Sequence, residues 1–464
     1  MIHSAVPASI FRAYDIRGVV GETLTAGIAR YIGLGIGAEA GARGEQAIIV
    51  GRDGRHSSPE LAGALVAGLR ESGRDVVDIG MVPTPLLYFA THWLPATSGV
   101  MVTGSHNGPE YNGMKLIMAG KILFGDALQT LYRRIVAGEF SAGQGNLSSA
   151  DVRADYIERI CDDVVPATGG TALKVIVDCG NGVAGIVAPR LLRALGHQVV
   201  EMYCEVDGAF PNHHPDPSQP ENLDALVAQV REQQADIGLA FDGDGDRLGV
   251  VDSGGHIIWP DRQLMVLARD VLSRNKGASI IYDVKCSRHL ETVIRDSGGV
   301  PLMWKTGHSL IKSKMEEMQA PLAGELSGHI FFKERWYGFD DAIYAGARLL
   351  EIVVRRGMGS QDLFAEMPEG VSTPELRVRL PEDSHRAYMK KLKANAVFPG
   401  AQVIDTDGVR VEFQDGWGLV RASNTSPVLT LRFEADNQGA LERVQERFRR
   451  LLQATADTPL QLPF

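Results

Sequence analysis

Leu239-Ala240-Phe241-Asp242-Gly243-Asp244-Gly245-Asp246-Arg247-Leu248-Gly249-Val250-Val251 is an apolar run, an acidic glycine-rich turn and a second apolar run. Two strand-length apolar segments hinged on a polar loop read as adjacent buried strands. The pattern recurs. Val100-Met101-Val102 leads into Thr103-Gly104-Ser105-His106-Asn107 and then an apolar run at 114–118. Leu322-Ala323 leads into Gly324-Glu325-Leu326-Ser327-Gly328-His329 and then an apolar run at 330–332.

Upstream, each copy is prepared in the same way. A buried-strand run comes first: Ile48-Ile49-Val50, Val175-Ile176-Val177 and Ile280-Ile281-Tyr282. A helical stretch follows each, and a glycine announces the next strand at Gly73, Gly196 and Gly299. The last of these strands carries Pro301, which weakens it as a strand. Self-similarity at a spacing of roughly a hundred residues predicts three similar mixed α/β sheet domains. Ligand loops lie beyond the carboxyl ends of parallel strands, so the three polar loops should occupy equivalent positions and converge on a central cleft.

Composition places the boundaries. The polar, glycine-rich segment 138–151 separates the first two units, and Ser253-Gly254-Gly255 marks a tighter break before the third. Glu366-Met367-Pro368-Glu369-Gly370, running on to Pro374, reads as a linker. Beyond it, strand-like runs at 409–413 and 428–433 flank a polar loop, and an amphipathic helix from about 440 to 452 closes the chain. The expected division is 1–151, 152–254 and 255–368 as three α/β domains and 369–464 as a smaller C-terminal α+β domain.

A chain of 464 residues exceeds what one core usually organises. A formal net charge of -10 argues against nucleic-acid and anionic-membrane partners and requires a local basic cluster for any anionic substrate. Cys161, Cys179, Cys204 and Cys286 are scattered with no CxxC pair, the pattern of reduced core thiols. The start lacks a basic segment followed by an apolar one, and no long apolar run occurs, so a cytoplasmic protein is expected.

Asp242, Asp244 and Asp246 repel one another unless a cation sits between them, and the interleaved glycines let all three carboxylates aim at one point. Hard oxygen ligands suit Mg²⁺. The calcium-loop template fails, because Arg247 stands at its sixth position and Ser253 at its twelfth. Ser105 offers a hydroxyl in a turn of small polar residues, and His106 and Lys115 are near enough in sequence to exchange protons with, or stabilise, reacting oxygens. A hydroxyl beside a metal suggests phosphoryl transfer.

Over nearly its whole length the chain resembles the α-D-phosphohexomutases, on the TGSHN loop, the DGDGDR loop, the GELSGH loop, Arg421-Ala422-Ser423-Asn424-Thr425-Ser426 and Phe11-Arg12-Ala13-Tyr14-Asp15-Ile16-Arg17-Gly18. The resemblance implies that Ser105 carries a phosphoryl group in the resting enzyme and joins Asp242, Asp244 and Asp246 in holding Mg²⁺. It implies that Glu325 and Ser327 contact sugar hydroxyls, and that Arg421, Ser423, Asn424 and Thr425 cradle the distal phosphate. Tyr14, Arg17, Lys285 and His308 match further substrate contacts. Arg17, Lys115 and Arg247 would supply positive potential, Arg247 and His106 charge stabilisation, and His329 acid/base work. The implied activity interconverts mannose and glucose 6-phosphates with their 1-phosphates through a hexose 1,6-bisphosphate. It would feed cell-surface polysaccharide synthesis and be performed by a monomer. The family commonly has proline where Gly108 stands, so one source of loop rigidity is missing.

A phosphoglucosamine mutase would use the same chemistry on a 2-amino sugar, a metal-dependent sugar phosphatase could use the same carboxylates, and a non-catalytic sugar-phosphate sensor is a third alternative. Gly33-Leu34-Gly35-Ile36-Gly37-Ala38 imitates a dinucleotide fingerprint but lies in a helical pattern after no strand, so close helix packing is expected. His213 and His214 read as polar-loop residues.

Overall fold

In the computed structural model, which describes residues 6–167, 171–380, 384–423 and 428–464, the repeated pattern becomes three sheets of one topology. In the first, Ala47–Arg52 lies between Asp75–Met81 and Ser98–Val102, all parallel, and Tyr111–Met118 returns antiparallel beside Ser98–Val102. In the second, Lys174–Asp178 lies between Gln198–Met202 and Ile237–Phe241, with Leu248–Asp252 antiparallel on the latter. In the third, Ser279–Asp283 lies between Val300–Trp304 and Leu322–Gly324, with Ile330–Phe332 antiparallel. Each polar loop is the tip joining the third strand to the fourth. Continuous burial along Ser98–Val102, Ile237–Phe241 and Leu248–Asp252 explains their uninterrupted apolar runs, since both sheet faces are covered. Val300–Trp304 is an edge strand, the position in which Pro301 is tolerated.

Additional strands extend the first two sheets. Ile16–Val19 pairs antiparallel with Tyr111–Met118, and Leu147–Ser149 pairs parallel with Asp75–Met81. Ile257–Ile258 folds back on Leu248–Asp252, so the turn at 253–255 is a hairpin within the second sheet.

The C-terminal sheet is antiparallel throughout, with Val371–Ser372 and Leu376–Arg379 both paired to Val428–Ala435, followed by Gly416–Ala422, Val409–Phe413 and Gln402–Ile404. Two sequence expectations are corrected here. The loop expected between 413 and 428 contains the strand Gly416–Ala422, and the expected linker contributes Val371–Ser372 to the sheet. Gly416 and Gly418 obscured the strand, yet packing requires them. A Cβ at Gly418 would strike Phe448 on the helix Gln438–Thr455, and one at Gly416 would strike Ala435 of the neighbouring strand.

One apolar core runs through the first three units, including Ile49, Leu87, Val177, Leu239, Ile280 and Phe332. The helix Ala342–Arg356 is buried around its whole circumference as far as Val353, as expected of a core helix. Asp341 caps it by accepting from the Tyr344 amide, and Gly357 ends it in a left-handed conformation. The fourth domain rests on the third through Trp417 and Leu419 against Val284. Arg410 stacks on Trp417, its guanidinium carbon 3.7 Å from the ring centre, and donates to the carbonyls of Val284 and Cys286 at 2.6 and 2.7 Å.

The glycine-rich decoy lies inside the helix Ala26–Ala42. A Cβ on Gly33 would strike the Leu65 carbonyl of the helix Ser58–Glu71, and one on Gly68 would strike that of Arg30, so these glycines serve helix packing. Among the described residues no helix is long and apolar enough to cross a membrane.

Candidate active site

Ser105 sits at the tip between Ser98–Val102 and Tyr111–Met118, buried and with a left-handed φ of 49°. Its hydroxyl donates to Asp242 Oδ2 at 3.2 Å and lies 3.2 Å from His106 Nδ1. Such a backbone conformation is strained for serine and needs outside support. Arg55 supplies it. This fully buried guanidinium donates to the carbonyls of Ser105 and Asn107 at 2.6 Å, of Gly108 at 2.5 Å and of Tyr111 at 3.0 Å, while its Nε donates to Asp53 at 3.1 Å. Asp53 also accepts from the Gly104 amide at 3.1 Å. Arg17 braces the other side, donating to the Gly104 carbonyl and to Asn107 Oδ1. The rigidity that Gly108 does not provide therefore comes from two arginines.

Asp242, Asp244 and Asp246 are fully buried with their carboxylate oxygens clustered. Asp242 Oδ1 accepts the amides of Gly245, Asp246 and Arg247 at 3.0 to 3.1 Å, which turns Oδ2 toward Ser105. Asp244 Oδ2 accepts from the hydroxyls of Thr84 at 2.5 Å and Thr103 at 3.2 Å. Lys115 reaches into the cluster, 2.7 Å from Asp244 and in contact with Asp246. Burial alone would lower the lysine pKa, but Asp244 and Asp246 carry it well above its ordinary value. Asp244 Oδ1 remains buried with no hydrogen-bond partner among the described residues, and Asp246 Oδ1 meets the His329 ring only at 3.4 Å. Bare carboxylate oxygens beside a serine hydroxyl form a hard donor set, and the residues fit a divalent cation such as Mg²⁺.

The second and third units meet at this point. Arg247 pairs with His329 across their tips, and its Nε lies 3.4 Å from His329 Nε2. His329 Nε2 also lies 3.4 Å from Asp246, while Nδ1 lies 3.1 Å from Glu325 and 2.8 Å from Ser327 Oγ. Burial, and then Arg247, disfavour the imidazolium, but Asp246 and Glu325 together outweigh them and raise the His329 pKa to about 9. His106 is opposite in character: burial first, then Arg247 and Arg17, hold it well below the usual histidine value. The neutral His106 can accept a proton from Ser105, a role distinct from the charge stabilisation expected of it.

Glu325 is fixed by the Gly307 amide at 2.5 Å as well as by His329, and its pKa is lowered because these partners outweigh burial. Tyr14, from the first unit, donates to the Thr306 carbonyl at 2.9 Å and meets the His308 ring edge-on. His308 lies 3.2 Å from Asp340, which also accepts from Lys312 at 2.5 Å. The fourth domain enters through Arg421, whose Nε donates to Asp407 at 3.0 Å, and Asp407 in turn accepts from the Thr306 amide at 3.1 Å. Lys285 Nζ lies 3.0 Å from Glu375 on the same domain. The Ser423 amide donates to the Val428 carbonyl at 2.9 Å, which positions the start of the expected phosphate loop. Asn424 and Thr425 lie outside the described residues.

The structure thus brings Ser105, His106, Lys115, Arg17, Asp242, Asp244, Asp246, Arg247, Glu325, Ser327 and His329 to one centre, linked through Glu325 and Tyr14 to the 306–308 segment. Arg55, Thr84 and Asp340 escaped the sequence analysis. Arg55 does follow the first strand's carboxyl end in Asp53-Gly54-Arg55, the equivalent of a ligand loop, and that placement could have drawn attention to it.

Comparison with known proteins gives one consistent result. Models of phosphoglucomutase/phosphomannomutase alpha/beta/alpha domains I, II and III match residues 8–142, 154–255 and 259–370, and that of the C-terminal domain matches 375–451. A phosphomannomutase/phosphoglucomutase of Pseudomonas aeruginosa is 55% identical over 99% of this chain and 98% of its own. A phosphoglucomutase of Neisseria gonorrhoeae is 50% identical over 97% and 98%. The crystal structure of a phosphoglucomutase/phosphomannomutase family protein from Burkholderia thailandensis superposes with a TM-score of 0.94 at 53% identity, covering 99% of this chain and all of that one.

Proposed function

The chain belongs to the phosphoglucomutase/phosphomannomutase family of α-D-phosphohexomutases, and from this we propose that it interconverts the 6-phosphates and 1-phosphates of mannose and glucose through Ser105. The observation that carries the reading is the placement of Ser105 Oγ, 3.2 Å from both His106 Nδ1 and Asp242 Oδ2, at the point where the tips of three units meet.

Phosphorylated Ser105 transfers its group to the free hydroxyl of the bound monophosphate, leaving a hexose 1,6-bisphosphate and a bare serine. The bisphosphate turns end for end, its other phosphate returns to Ser105, and the isomer leaves. His106 Nδ1 is placed to take the hydroxyl proton as the bare serine attacks. Lys115 and Arg247 face the charge that develops on the transferring group. Arg17 and Arg55 keep the loop in its strained form, while His329 exchanges a proton with the sugar hydroxyl. A Mg²⁺ ion held by Asp242, Asp244, Asp246 and the Ser105 oxygen would supply Lewis-acid neutralisation of the phosphoryl oxygens.

Glu325 and Ser327 grip hydroxyls that glucose and mannose share, so both C2 epimers are accepted. Tyr14, Lys285, His308, Arg421, Ser423, Asn424 and Thr425 bind the remaining sugar and phosphate groups. Contacts between Asp407 and Thr306 already join the fourth domain to the third across the cleft, an arrangement that limits hydrolysis of the phosphoenzyme by water. All these residues come from one chain, in keeping with a monomer, and the free cysteines are in keeping with a cytoplasmic protein supplying sugar 1-phosphates for polysaccharide synthesis.

The decisive experiment loads the protein with Mg²⁺ and hexose bisphosphate labelled in phosphate, maps the label to Ser105, and chases it with unlabelled glucose or mannose 6-phosphate. Label should pass to sugar. Label recovered only as free phosphate would identify a phosphatase, and faster turnover of glucosamine 6-phosphate than of either hexose would assign the amino-sugar reaction instead.

A further inference from the structure

Outside the reaction centre, two cysteines distant in sequence lie sulfur to sulfur. Cys179 follows the strand Lys174–Asp178 and Cys204 follows its parallel neighbour Gln198–Met202, with Asp178 opposite Met202. Their Sγ atoms are 3.4 Å apart. A disulfide needs about 2.0 Å, and Cys204 Sγ is already turned inward beside the Val177 carbonyl at 3.3 Å. Cys179 is buried and Cys204 partly exposed, so an oxidant from solvent meets Cys204 first.

This pair adjoins the turn that supports the acidic loop. The Cys179 carbonyl accepts from the Gly182 amide at 2.6 Å, and the next amide, that of Val183, donates to the Gly243 carbonyl at 3.1 Å. Gly243 in turn presses on the Ser105 carbonyl so closely that a Cβ would not fit. Two hydrogen bonds therefore link Cys179 to Gly243, which stands between Asp242 and Asp244, and the close approach of Gly243 links it to Ser105.

We propose that Cys179 and Cys204 are a redox modification site at which a peroxide forms a reversible disulfide that slows phosphoryl transfer. Cys204 sulfur attacks a peroxide oxygen, the O–O bond breaks, and water and a Cys204 sulfenic acid result. Cys179 sulfur then attacks the Cys204 sulfur and its thiol proton leaves with the hydroxide as a second water. Two thiols are oxidised and one hydrogen peroxide is reduced. Burial, and then the neighbouring Cys204, hold the Cys179 thiol well above its ordinary pKa and disfavour its thiolate, so the second step depends on the electrophilic sulfenic sulfur held beside it. Closure from 3.4 Å draws the sulfurs together by about 1.4 Å. The effect on rate rests on the mutase function, whereas the bond itself does not.

The test treats the full-length, Mg²⁺-supplied protein with hydrogen peroxide, alkylates the remaining thiols and maps peptides by mass, alongside Cys204→Ser and Cys179→Ser variants. A cross-linked 179–204 peptide lighter by two hydrogen atoms is expected, with mutase rate down about tenfold and restored by dithiothreitol. Either serine variant should resist this reversible loss. Oxygen added at Cys204 or Cys161 with no cross-link overturns the site, and a quantitative cross-link with unchanged rate overturns its coupling to the acidic loop. If the reduced protein shows no mutase turnover, the proposed function fails while peptide mass still decides the disulfide.

Discussion

Replacing Arg55 by lysine should cost far more rate than is usual for a side chain bonded to main-chain carbonyls. The guanidinium serves the carbonyls of Ser105, Asn107, Gly108 and Tyr111. An ammonium has fewer donors on a narrower head and would reach about half of them. Losing two charge-assisted bonds, at roughly 1.5–3 kcal/mol each and partly offset by water, removes about 3 kcal/mol of support from the loop. Ser105 holds its left-handed conformation against a strain of about 1 kcal/mol or more, so the loop relaxes once that support is gone. If the loss falls wholly on the transition state, kcat drops about 100-fold. KM should hardly move, because Glu325 and Ser327 lie on a different unit. Steady-state kinetics with glucose 1-phosphate, with Ser105 phosphorylation followed by intact mass and folding by thermal melting, separates these outcomes. A folded, fully phosphorylated Arg55→Lys protein with kcat within about threefold of the parent would refute the bracing role.

Ser105→Ala should abolish turnover while melting within a few degrees of the parent, and residual mutase activity would end the covalent mechanism. Mg²⁺ added to chelator-treated protein should raise its melting temperature, an increase that Asp244→Asn should lose; equal shifts in both proteins would place the ion elsewhere. Trp417→Ala empties a fully buried site beneath Arg410 and should destabilise the fourth domain by about 3–5 kcal/mol. KM for sugar phosphate should rise with Ser105 phosphorylation intact, whereas an unchanged KM would deny that domain a part in binding. Burial raises the Asp341 pKa to about 7 despite hydrogen bonds from Tyr344, Tyr156 and Trp336. Below about pH 4 folded and unfolded chains both hold its proton, whereas between about pH 4 and 7 only the folded chain does. Its contribution therefore turns unfavourable as pH rises through that window, by at most about 4 kcal/mol, and levels off above it. Urea unfolding of Asp341→Asn should lack this component, and pH profiles parallel to the parent's would contradict it.

The triple sheet was legible because strands covered on both faces are written as unbroken apolar runs, and their loops interrupt those runs with residues that pack poorly in a core. Gly416–Ala422 was not legible, since its glycines signal a turn until the helix that presses on them is known. The acidic triplet and Ser105 carry their chemistry in local sequence. Arg55 acts on main-chain carbonyls, which leave no trace in side-chain pattern, and Thr84 approaches Asp244 only through folding. The contrast between a neutral His106 and a protonated His329 has the same origin: burial, Arg247 and Arg17 prevail at one ring, while Asp246 and Glu325 prevail over burial and Arg247 at the other, and each neighbourhood gathers distant segments.

Lys115 settles a problem that the acidic loop creates during folding. Three carboxylates cannot be withdrawn from water together without a counter-charge, and a site relying on a dissolved ion for that charge would tie maturation of the whole chain to ion supply. An ammonium delivered by the strand Tyr111–Met118 of the first unit belongs to the chain itself. A chain that carries its own counter-charge is thus expected to fold in ion-poor conditions, and any cation held by the triplet would arrive afterwards.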